Sequence, residues 1–466
     1  MEPTAAAVDL AAAIRRKELS PVELLDACLA RVDAVNPALN AVIWRNDDEA
    51  RDVAKRAADA VVGGDDLAPF HGVPIPIKDL TPVAGWPTTY GSKGAPDTPT
   101  EESELVVEAF ARAGFLLTGR TNTPEFGPIT VTENERYGVT RNPWDTTRTP
   151  GGSSGGAGAA VASGMFPIAH ANDGGGSIRI PASCNGLVGL KVSRGRVPSL
   201  YTSWEGAAVE GVVTRTVADT AAVLDAISVP DRGAWWNAPP PARPFVEEVG
   251  TDPGRLRIAL VTTAPLGLPT DDACVASARA AATALEAAGH HVEESDFEVL
   301  PFEAVADFLN VVNSSFADYT NVDWSKVEPH NQRGREAARA VDSLTYVASV
   351  HQLQRVTRGY VAAWGRDFDV LLTPTISIEP PLAGTVLAEA HAADGAAETV
   401  LRMVLFTIIF NITGLPAISL PVHQTAAGLP IGAQLVGGPW DEATLLRLAS
   451  QLEQAIGWHE RRPAGV

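Results

Sequence analysis

Apolar residues recur every three or four positions through the first sixty residues of the chain, which is the spacing of an amphipathic helix. The pattern predicts helices over Ala7–Val35 and Asp47–Val62. The pair Ser20-Pro21 marks the start of a second helix inside the first block, because serine caps helices and proline suits their first turn. The apolar run Ala41–Trp44 separates the two blocks and is typical of a strand.

Short apolar runs alternate with helical stretches over the rest of the chain. Strands are predicted for Val73–Ile77, Leu116–Thr118, Phe166–Ala169, Arg257–Val261, Val370–Thr373 and Ala417–Leu420. Helices are predicted for Asp271–Ala288, for most of 303–368 and for Glu442–Ile456. Within the helical region, 321–332 fits a mobile flap or a polar turn equally well. The alternation indicates an α/β fold whose sheet is buried on both faces.

The spacing of these elements favours one large domain. The 466 residues are about three times a common domain size, but one large α/β enzyme can use all of them. The alternation of strands and helices stops in a proline-rich stretch after Trp235 and Trp236. We interpret this stretch as a surface connection, and we expect the two tryptophans to be packing or rim residues. The expected single domain spans 1–466 and consists of N-terminal helices in 1–65, a core in 66–230 and 254–466, and a proline-rich connection in 231–253.

Composition and charge exclude several classes of protein. Hydrophobic residues make up 45% of the chain and charged residues 20%, as in compact globular proteins. The net charge of −20 argues against nucleic acid as a partner, because that affinity depends on cations. The cysteines (Cys28, Cys184 and Cys274) are too far apart for a disulfide framework or a zinc motif. With no secretory pattern and no apolar run that could cross a bilayer, we expect a cytoplasmic protein without a membrane partner.

Two glycine-rich turns hold the most informative residues of the sequence. They are Gly151–Gly156, which reads Gly-Gly-Ser-Ser-Gly-Gly, and Asp173–Ser177, which reads Asp-Gly-Gly-Gly-Ser. Glycine at this density lets the backbone approach a ligand closely, which a structural loop seldom needs twice. The two turns therefore indicate a functional site.

Three chemistries could use such turns. A phosphate-binding loop would continue into Gly-Lys-Ser or Gly-Lys-Thr, which the chain lacks. A nucleophile elbow, Gly-x-Ser-x-Gly, is present at Gly151–Gly155 and would need a histidine base, for which His423 is suitably placed after a predicted strand. That alternative leaves the second turn unexplained. The third chemistry uses a lysine as the base.

The lysine chemistry is the one that a family resemblance supports. The strand ending in Lys78-Asp79, the Gly-Gly-Ser-Ser-Gly-Gly turn 75 residues later, and a Gly-Gly-Ser-Ile-Arg-Ile-Pro segment with its serine 24 residues further on resemble the amidase signature family. Similar segments elsewhere are Gly119–Glu125, Arg141–Trp144 and Asn411–Ala417, so the resemblance covers nearly the whole chain. It implies a mixed, twisted central β-sheet covered by helices on both faces.

The resemblance also implies a role for each site residue. Ser177 would be the nucleophile, Ser153 a bridging serine held by a cis peptide bond to its neighbour, and Lys78 the base. The oxyanion hole would consist of four backbone amides, those of Gly174, Gly175, Gly176 and Ser177. No cofactor and no metal belong to this site. The family usually has threonine or another larger residue where this chain has Gly174, which changes the stiffness or width of the turn but removes no backbone donor.

These residue types suit the hydrolysis of an amide. A free lysine has a pKa near 10.4 and is protonated at pH 7, but burial at the end of an apolar strand lowers the pKa and places Lys78 to act as a neutral base. Asp173 and Arg179 flank the nucleophile, and we expect them to orient the turn without transferring protons.

The sequence therefore predicts an enzyme that cleaves the C–N bond of a small amide through an acyl-enzyme. It is similar to stand-alone bacterial amidases, including those that act on nylon-type cyclic amides, aryl amides or carbamates. We expect a small-molecule substrate and a monomer or homodimer. The alternatives are the glutaminase subunit of a tRNA-dependent amidotransferase, a catalytically silent binding homologue, and the histidine-dependent esterase of the nucleophile elbow.

Overall fold

The computed structural model describes residues 2–301, 303–392 and 398–464. The chain begins with α1 (Ala7–Arg15), α2 (Pro21–Leu39), β1 (Val42–Arg45) and α3 (Asp47–Gly63). The start of α2 follows from its sequence, because the Ser20 hydroxyl accepts a hydrogen bond from Val22 N–H and the Glu23 carboxylate accepts one from Ser20 N–H. The helix runs past its predicted end at Val35 and stops where Asn40 adopts a left-handed conformation.

A small sheet delivers the first site residue. It contains β2 (Pro74–Lys78) and β3 (Leu116–Thr121), which are parallel and are connected through α4 (Leu105–Arg112). The strand β1 pairs with β3 in antiparallel fashion, which gives the order β1-β3-β2. All five residues of β2 are buried, so Lys78 lies at the carboxyl end of a strand without contact with solvent.

Most of the remaining strands form one large mixed sheet. After the two-stranded ribbon of β4 (Glu133–Asn134) and β5 (Gly138–Val139) come β6 (Ala169–Asp173), β7 (Val188–Lys191), β8 (Val209–Thr214), β9 (Arg257–Leu260), β10 (His291–Glu294), β11 (Val370–Pro374), β12 (Ala417–Gln424) and β13 (Pro430–Val436). The eight strands have the order β10-β9-β11-β13-β12-β7-β8-β6 and include parallel and antiparallel pairs. At its edge, β6 contacts β2 of the small sheet, which brings the ends of the two strands together.

The helices pack against this sheet and around its ends. They are α5 (Gly155–Ala162), α6 (Arg179–Asn185), α7 (Ser203–Gly206), α8 (Val217–Ile227), α9 (Asp272–Ala287), α10 (Glu303–Ser314), α11 (Pro329–Arg339), α12 (Ser343–Val361), α13 (Thr385–His391), α14 (Glu398–Val404), α15 (Ile408–Thr413) and α16 (Glu442–Ile456). The predicted fold class, an α/β protein with a mixed central sheet covered by helices, is confirmed. Every helix of the described residues is too short or too polar to span a membrane.

One predicted strand is displaced from its observed position. The run Phe166–Ala169 was expected to form a strand, but β6 begins only at Ala169. Pro167 has no N–H group to donate to a neighbouring strand, so the apolar residues before Ala169 are buried as a connection instead. The displacement matters for the site, because β6 ends at Asp173 and leads directly into the second glycine turn.

The helical region, the segment within it that allowed a flap or a turn, and the proline-rich connection form helices and 3-10 turns. Most of 303–368 is helical, as predicted, in α10, α11 and α12, and the last of these helices ends at Val361. The segment 321–332 forms a 3-10 turn at Trp324–Lys326 followed by the first residues of α11. In the proline-rich connection, a 3-10 turn at Phe245–Glu248 packs against α8 and α16.

Candidate active site

The amine of Lys78 lies in a dry polar pocket at the end of β2. Its Nζ is 2.8 Å from Ser153 Oγ and 2.6 Å from Asn172 Oδ1, and the side chain has no exposed surface. Burial lowers the pKa of Lys78 to about 7, against the opposing effect of the Glu210 and Asp173 carboxylates. Neutral and charged forms of the amine are therefore close to equally populated near pH 7.

A histidine behind Lys78 connects it to the nearest carboxylate. His170 Nδ1 accepts a hydrogen bond from the backbone N–H of Lys78, and its Nε2 lies 2.7 Å from Glu210 Oε2. Since Nδ1 is an acceptor, Nε2 carries the proton in this arrangement. The His170 ring thus holds the end of β2 in place. Its hydrogen bonds go to the Lys78 backbone and to Glu210, and not to the Lys78 amine.

The first glycine turn holds Ser153 against Lys78. The peptide bond between Gly152 and Ser153 is cis. A side chain at Gly152 would begin 2.4 Å from the carbonyl oxygen of Val131, so only glycine fits between the turn and that segment. Thr132 fastens the turn from the same segment, because its hydroxyl donates to Gly151 C=O and accepts from Gly155 N–H.

The second glycine turn is built around a buried ion pair. The Asp173 carboxylate accepts hydrogen bonds from the N–H groups of Gly176 and Ile178, and the Arg179 guanidinium donates to both of its oxygens. Both side chains are completely buried. Although burial alone would raise the pKa of Asp173, the Arg179 guanidinium holds it well below its usual range. These contacts agree with the orienting role predicted for the pair.

The amides of this turn do not all remain available to a substrate. The Gly176 N–H, one of the four predicted oxyanion donors, donates to Asp173 Oδ1 at 2.7 Å. The amides of Gly174, Gly175 and Ser177 donate to no other group among the described residues. The orientation of the Gly175 peptide is fixed as well, because its carbonyl oxygen accepts a hydrogen bond from the Thr407 hydroxyl at 2.6 Å.

Both serines open onto one cavity of about 750 Å³. Ser153, Ser177, Gly174 and Asn172 all lie on its wall, while Lys78 is buried behind Ser153. The structure thus places the predicted nucleophile and the predicted bridging serine at the same surface, with the amine behind them. Among the described residues that line this cavity there is no histidine, and His423 lies on β12 outside it.

The rest of the cavity wall is aromatic and acidic. Its aromatic members are Tyr90, Phe126, Tyr201, Trp204, Phe316 and Tyr319. Its carboxylates are Glu101, Glu102, Glu104, Glu210 and Asp318. No lysine or arginine lies on the described part of this wall. A ligand in the cavity therefore meets apolar rings and negative charge.

Two residues that the sequence interpretation missed belong to this site. Asn172 accepts a hydrogen bond from Lys78 Nζ, and its own amide donates to the Thr81 hydroxyl. Trp204 covers Gly174, and the Cβ of any side chain there would lie only 2.4 Å from the indole ring. Asn172 directly precedes the Asp-Gly-Gly-Gly-Ser turn and could have been found there, whereas no local signal marks Trp204.

Comparisons with known proteins assign the family. The family model described as Amidase matches residues 23–446, which is most of the chain. The chain belongs to the amidase family. It is 39% identical over 483 residues to the 6-aminohexanoate-cyclic-dimer hydrolase of Paenarthrobacter ureafaciens, with 97% of this chain and 94% of that protein covered. The predicted resemblance is confirmed, and the amidase is a hydrolase of amide C–N bonds.

Solved structures give the same result. The 6-aminohexanoate cyclic dimer hydrolase in complex with its substrate aligns over 100% of this amidase and 99% of that chain, with a TM-score of 0.94 and 36% identity. A bacterial aryl acylamidase of the amidase signature family aligns over 99% of both chains, with a TM-score of 0.89 and 25% identity. The fold is therefore shared along the full length of both proteins.

Proposed function

We propose that this amidase hydrolyses small amides through Lys78, Ser153 and Ser177, with an acyl-enzyme on Ser177. The observation that supports this assignment best is the amine of Lys78, which is buried, 2.8 Å from Ser153 Oγ and depressed in pKa to about 7. A base of this kind is half deprotonated at neutral pH and can accept a proton without the help of histidine.

The proton follows a short path in the proposed mechanism. Ser177 Oγ attacks the substrate carbonyl carbon as its proton passes to Ser153 Oγ, and the proton of Ser153 passes to the lone pair of Lys78 Nζ. Asn172 Oδ1 accepts an N–H of the same amine, which directs the lone pair towards Ser153. The proton then returns through Ser153 to the leaving nitrogen as the C–N bond breaks. Water hydrolyses the acyl-enzyme by the same route.

The negative charge on the substrate oxygen is stabilised by backbone amides. We propose Gly174, Gly175 and Ser177 as donors, because the Gly176 amide is engaged by Asp173. One such donor is worth about 10²- to 10³-fold in rate. The buried Asp173–Arg179 pair supports this role by holding the turn in a single conformation.

The cavity supports a small, largely apolar amide as substrate. Its volume of about 750 Å³ admits a ligand of roughly drug size, and six aromatic residues line it. One relative is named as a hydrolase of a cyclic aliphatic amide, and another is named as an aryl acylamidase. We propose aryl amides and cyclic aliphatic amides as the substrate class, and carbamates as a further class with the same reacting carbonyl and C–N bond.

Labelling with a fluorophosphonate, which bonds to activated serines, tests the assignment. The wild-type chain should gain one adduct by intact mass, Ser177→Ala should gain none, and Lys78→Met should react at least about 10³-fold more slowly. Peptide mapping should place the adduct on Ser177. An adduct on another serine, or wild-type activity in Lys78→Met, would contradict the proposal and favour the histidine-dependent esterase.

The same preparation separates the glutaminase alternative. A chain that needs no partner should hydrolyse anilides of short acids and cyclic amides at full rate by itself. A glutaminase subunit would be inactive on these amides and would release ammonia from glutamine only with its partner subunits. A silent binding homologue would bind the amides without any product.

A further inference from the structure

A second cluster of polar side chains lies outside the catalytic cavity, between α11 and α13. Glu328 immediately precedes α11, His330 lies in its first turn, and His391 is the last residue of α13. Glu328 Oε2 is 3.1 Å from His391 Nε2 and 3.7 Å from His330 Nδ1. One ligand atom from each of the three residues lies within 4.8 Å of the other two.

The His330 ring is the feature of this cluster that ordinary packing leaves unexplained. Its side chain is only 10% exposed, and neither ring nitrogen has a hydrogen-bond partner among the described residues. An imidazole buried in this way loses its bonds to water without replacement, which costs about 1 to 3 kcal/mol. The ring stacks on His391 with centroids 5.5 Å apart, so two imidazoles lie side by side next to one carboxylate.

One oxygen of the carboxylate faces both imidazole rings. Glu328 uses Oε1 to accept the N–H of Glu135 and keeps Oε2 on the histidine side. Arg333 is the opposing cation, and its guanidinium is held by the carbonyl of Ala390.

We propose that Glu328, His330 and His391 bind a divalent zinc-type cation. Two imidazoles and one carboxylate are a common zinc ligand set, and the three atoms need to move by about 1 to 1.5 Å to meet one ion. The side chain of His391 is 25% exposed, which gives the ion a path from solvent and leaves a fourth position for water. The sequence interpretation excluded a metal from the catalytic set, and this site lies apart from that set.

The cation would be structural. It would join α11 to α13, and the N–H of Glu328 also donates to the Glu125 carboxylate at 2.8 Å. Phe126, the next residue after Glu125, lies on the wall of the catalytic cavity. A bound ion would therefore hold the support of that wall in place, without any contact with the reacting atoms.

Metal binding by the purified full-length chain tests the proposal. After removal of metals by a chelator, zinc should bind with a stoichiometry of about one per chain in competition with a coloured chelator. Cobalt(II) at the same site should give the visible absorption of a four-coordinate complex. His330→Ala and His391→Ala should each weaken zinc binding at least about 100-fold.

Two comparisons keep the test decisive. His351 is exposed on α12, and His351→Ala should leave zinc binding unchanged. His391 is partly exposed, so His391→Ala should fold even if His330→Ala does not. The proposal is overturned if zinc binding does not saturate below about 100 μM, or if both variants bind as tightly as the wild type.

Discussion

The two serine turns and the opposite wall of the cavity are built in different ways. The turns are buried around side chains such as Asp173 and Arg179, which have no exposed surface. The wall residues within 312–320 follow from α10, and α10 and its neighbour α12 expose large apolar residues, including Leu309 at 50% and Leu344 at 79%. This wall reaches the cavity through aromatic contacts such as that between Phe126 and Tyr319, whose ring centroids are 4.5 Å apart.

The difference separates chemistry from selectivity. Proton transfer requires a dry site and fixed distances, and the turns supply both through buried hydrogen bonds that leave little freedom. Recognition of a substrate body requires only shape and charge, which non-local aromatic packing can provide. Changes in the turns should therefore reduce the rate and the stability together, while changes in the wall should alter which substrates react.

Replacement of the buried Arg179 by an uncharged residue should have the largest effect on stability and rate. Arg179→Met leaves the Asp173 charge buried without its partner, which should lower the free energy of unfolding by about 3 to 5 kcal/mol. The released Asp173 side chain no longer fixes the turn, and kcat should fall about 10³-fold. Denaturant unfolding and steady-state kinetics measure the two losses. The surface control, Leu344→Ala on α12, should change stability by less than about 0.5 kcal/mol, and equal losses in both variants would refute the comparison.

A substitution at the boundary between the two regions should have the next largest effect. A methyl group in Gly174→Ala would lie 2.4 Å from the Trp204 ring, although the backbone at Gly174 does not itself require glycine. The displaced turn should lower kcat/KM about 100-fold. Trp204→Ala in the same chain should recover at least about tenfold of that loss, as a double-mutant cycle would show. Additive losses would mean that Trp204 does not hold the turn.

The sequence predicted the turns well because the glycines and serines that form each turn are contiguous in the chain. Lys78 ends a five-residue apolar strand, and the helix Glu442–Ile456 was predicted at its observed bounds because Asp441 caps it and Gly457 ends it. The fold class and the family were also predicted and are confirmed. The roles of the site residues remain predictions that geometry and kinetics together must test.

The wall could not be predicted in the same way. Trp204 packs against the backbone of Gly174, where any side chain would collide with the indole ring. The Nε1 of Trp204 donates to Ser315, more than one hundred residues away. No periodicity or motif in the sequence encodes such a contact. The displaced strand before β6 has a simpler cause, since the apolar run alone predicted a strand, whereas Pro167 within it lacks the N–H group that a strand donates.

The pH dependence of kcat/KM should be a smaller effect, and it tests the lysine base that the turns hold. Because the pKa of Lys78 is about 7, the neutral fraction of the amine should fall about tenfold between pH 8 and pH 6, and kcat/KM should fall with it. Glu210→Gln removes a carboxylate that raises this pKa, so the acid limb should move to lower pH by up to about one unit. Glu286→Gln, on the exposed surface of α9, is the matched control. A rate independent of pH from 6 to 8 would contradict a lysine base.

Discrimination by charge should be the smallest effect, and it tests the wall alone. Anilides of equal length that end in a carboxamide or a carboxylate group have nearly the same shape and differ mainly in charge, and the cavity carries five carboxylates. Repulsion of about 1 kcal/mol in this partly solvated site should lower kcat/KM for the anionic anilide about fivefold. The difference should narrow in 0.5 M salt and in Asp318→Asn, while kcat/KM for the neutral anilide stays constant. Because Asp318 is not among the carboxylates that raise the pKa of Lys78, a change in the pH profile of Asp318→Asn would show that the two regions are not separable.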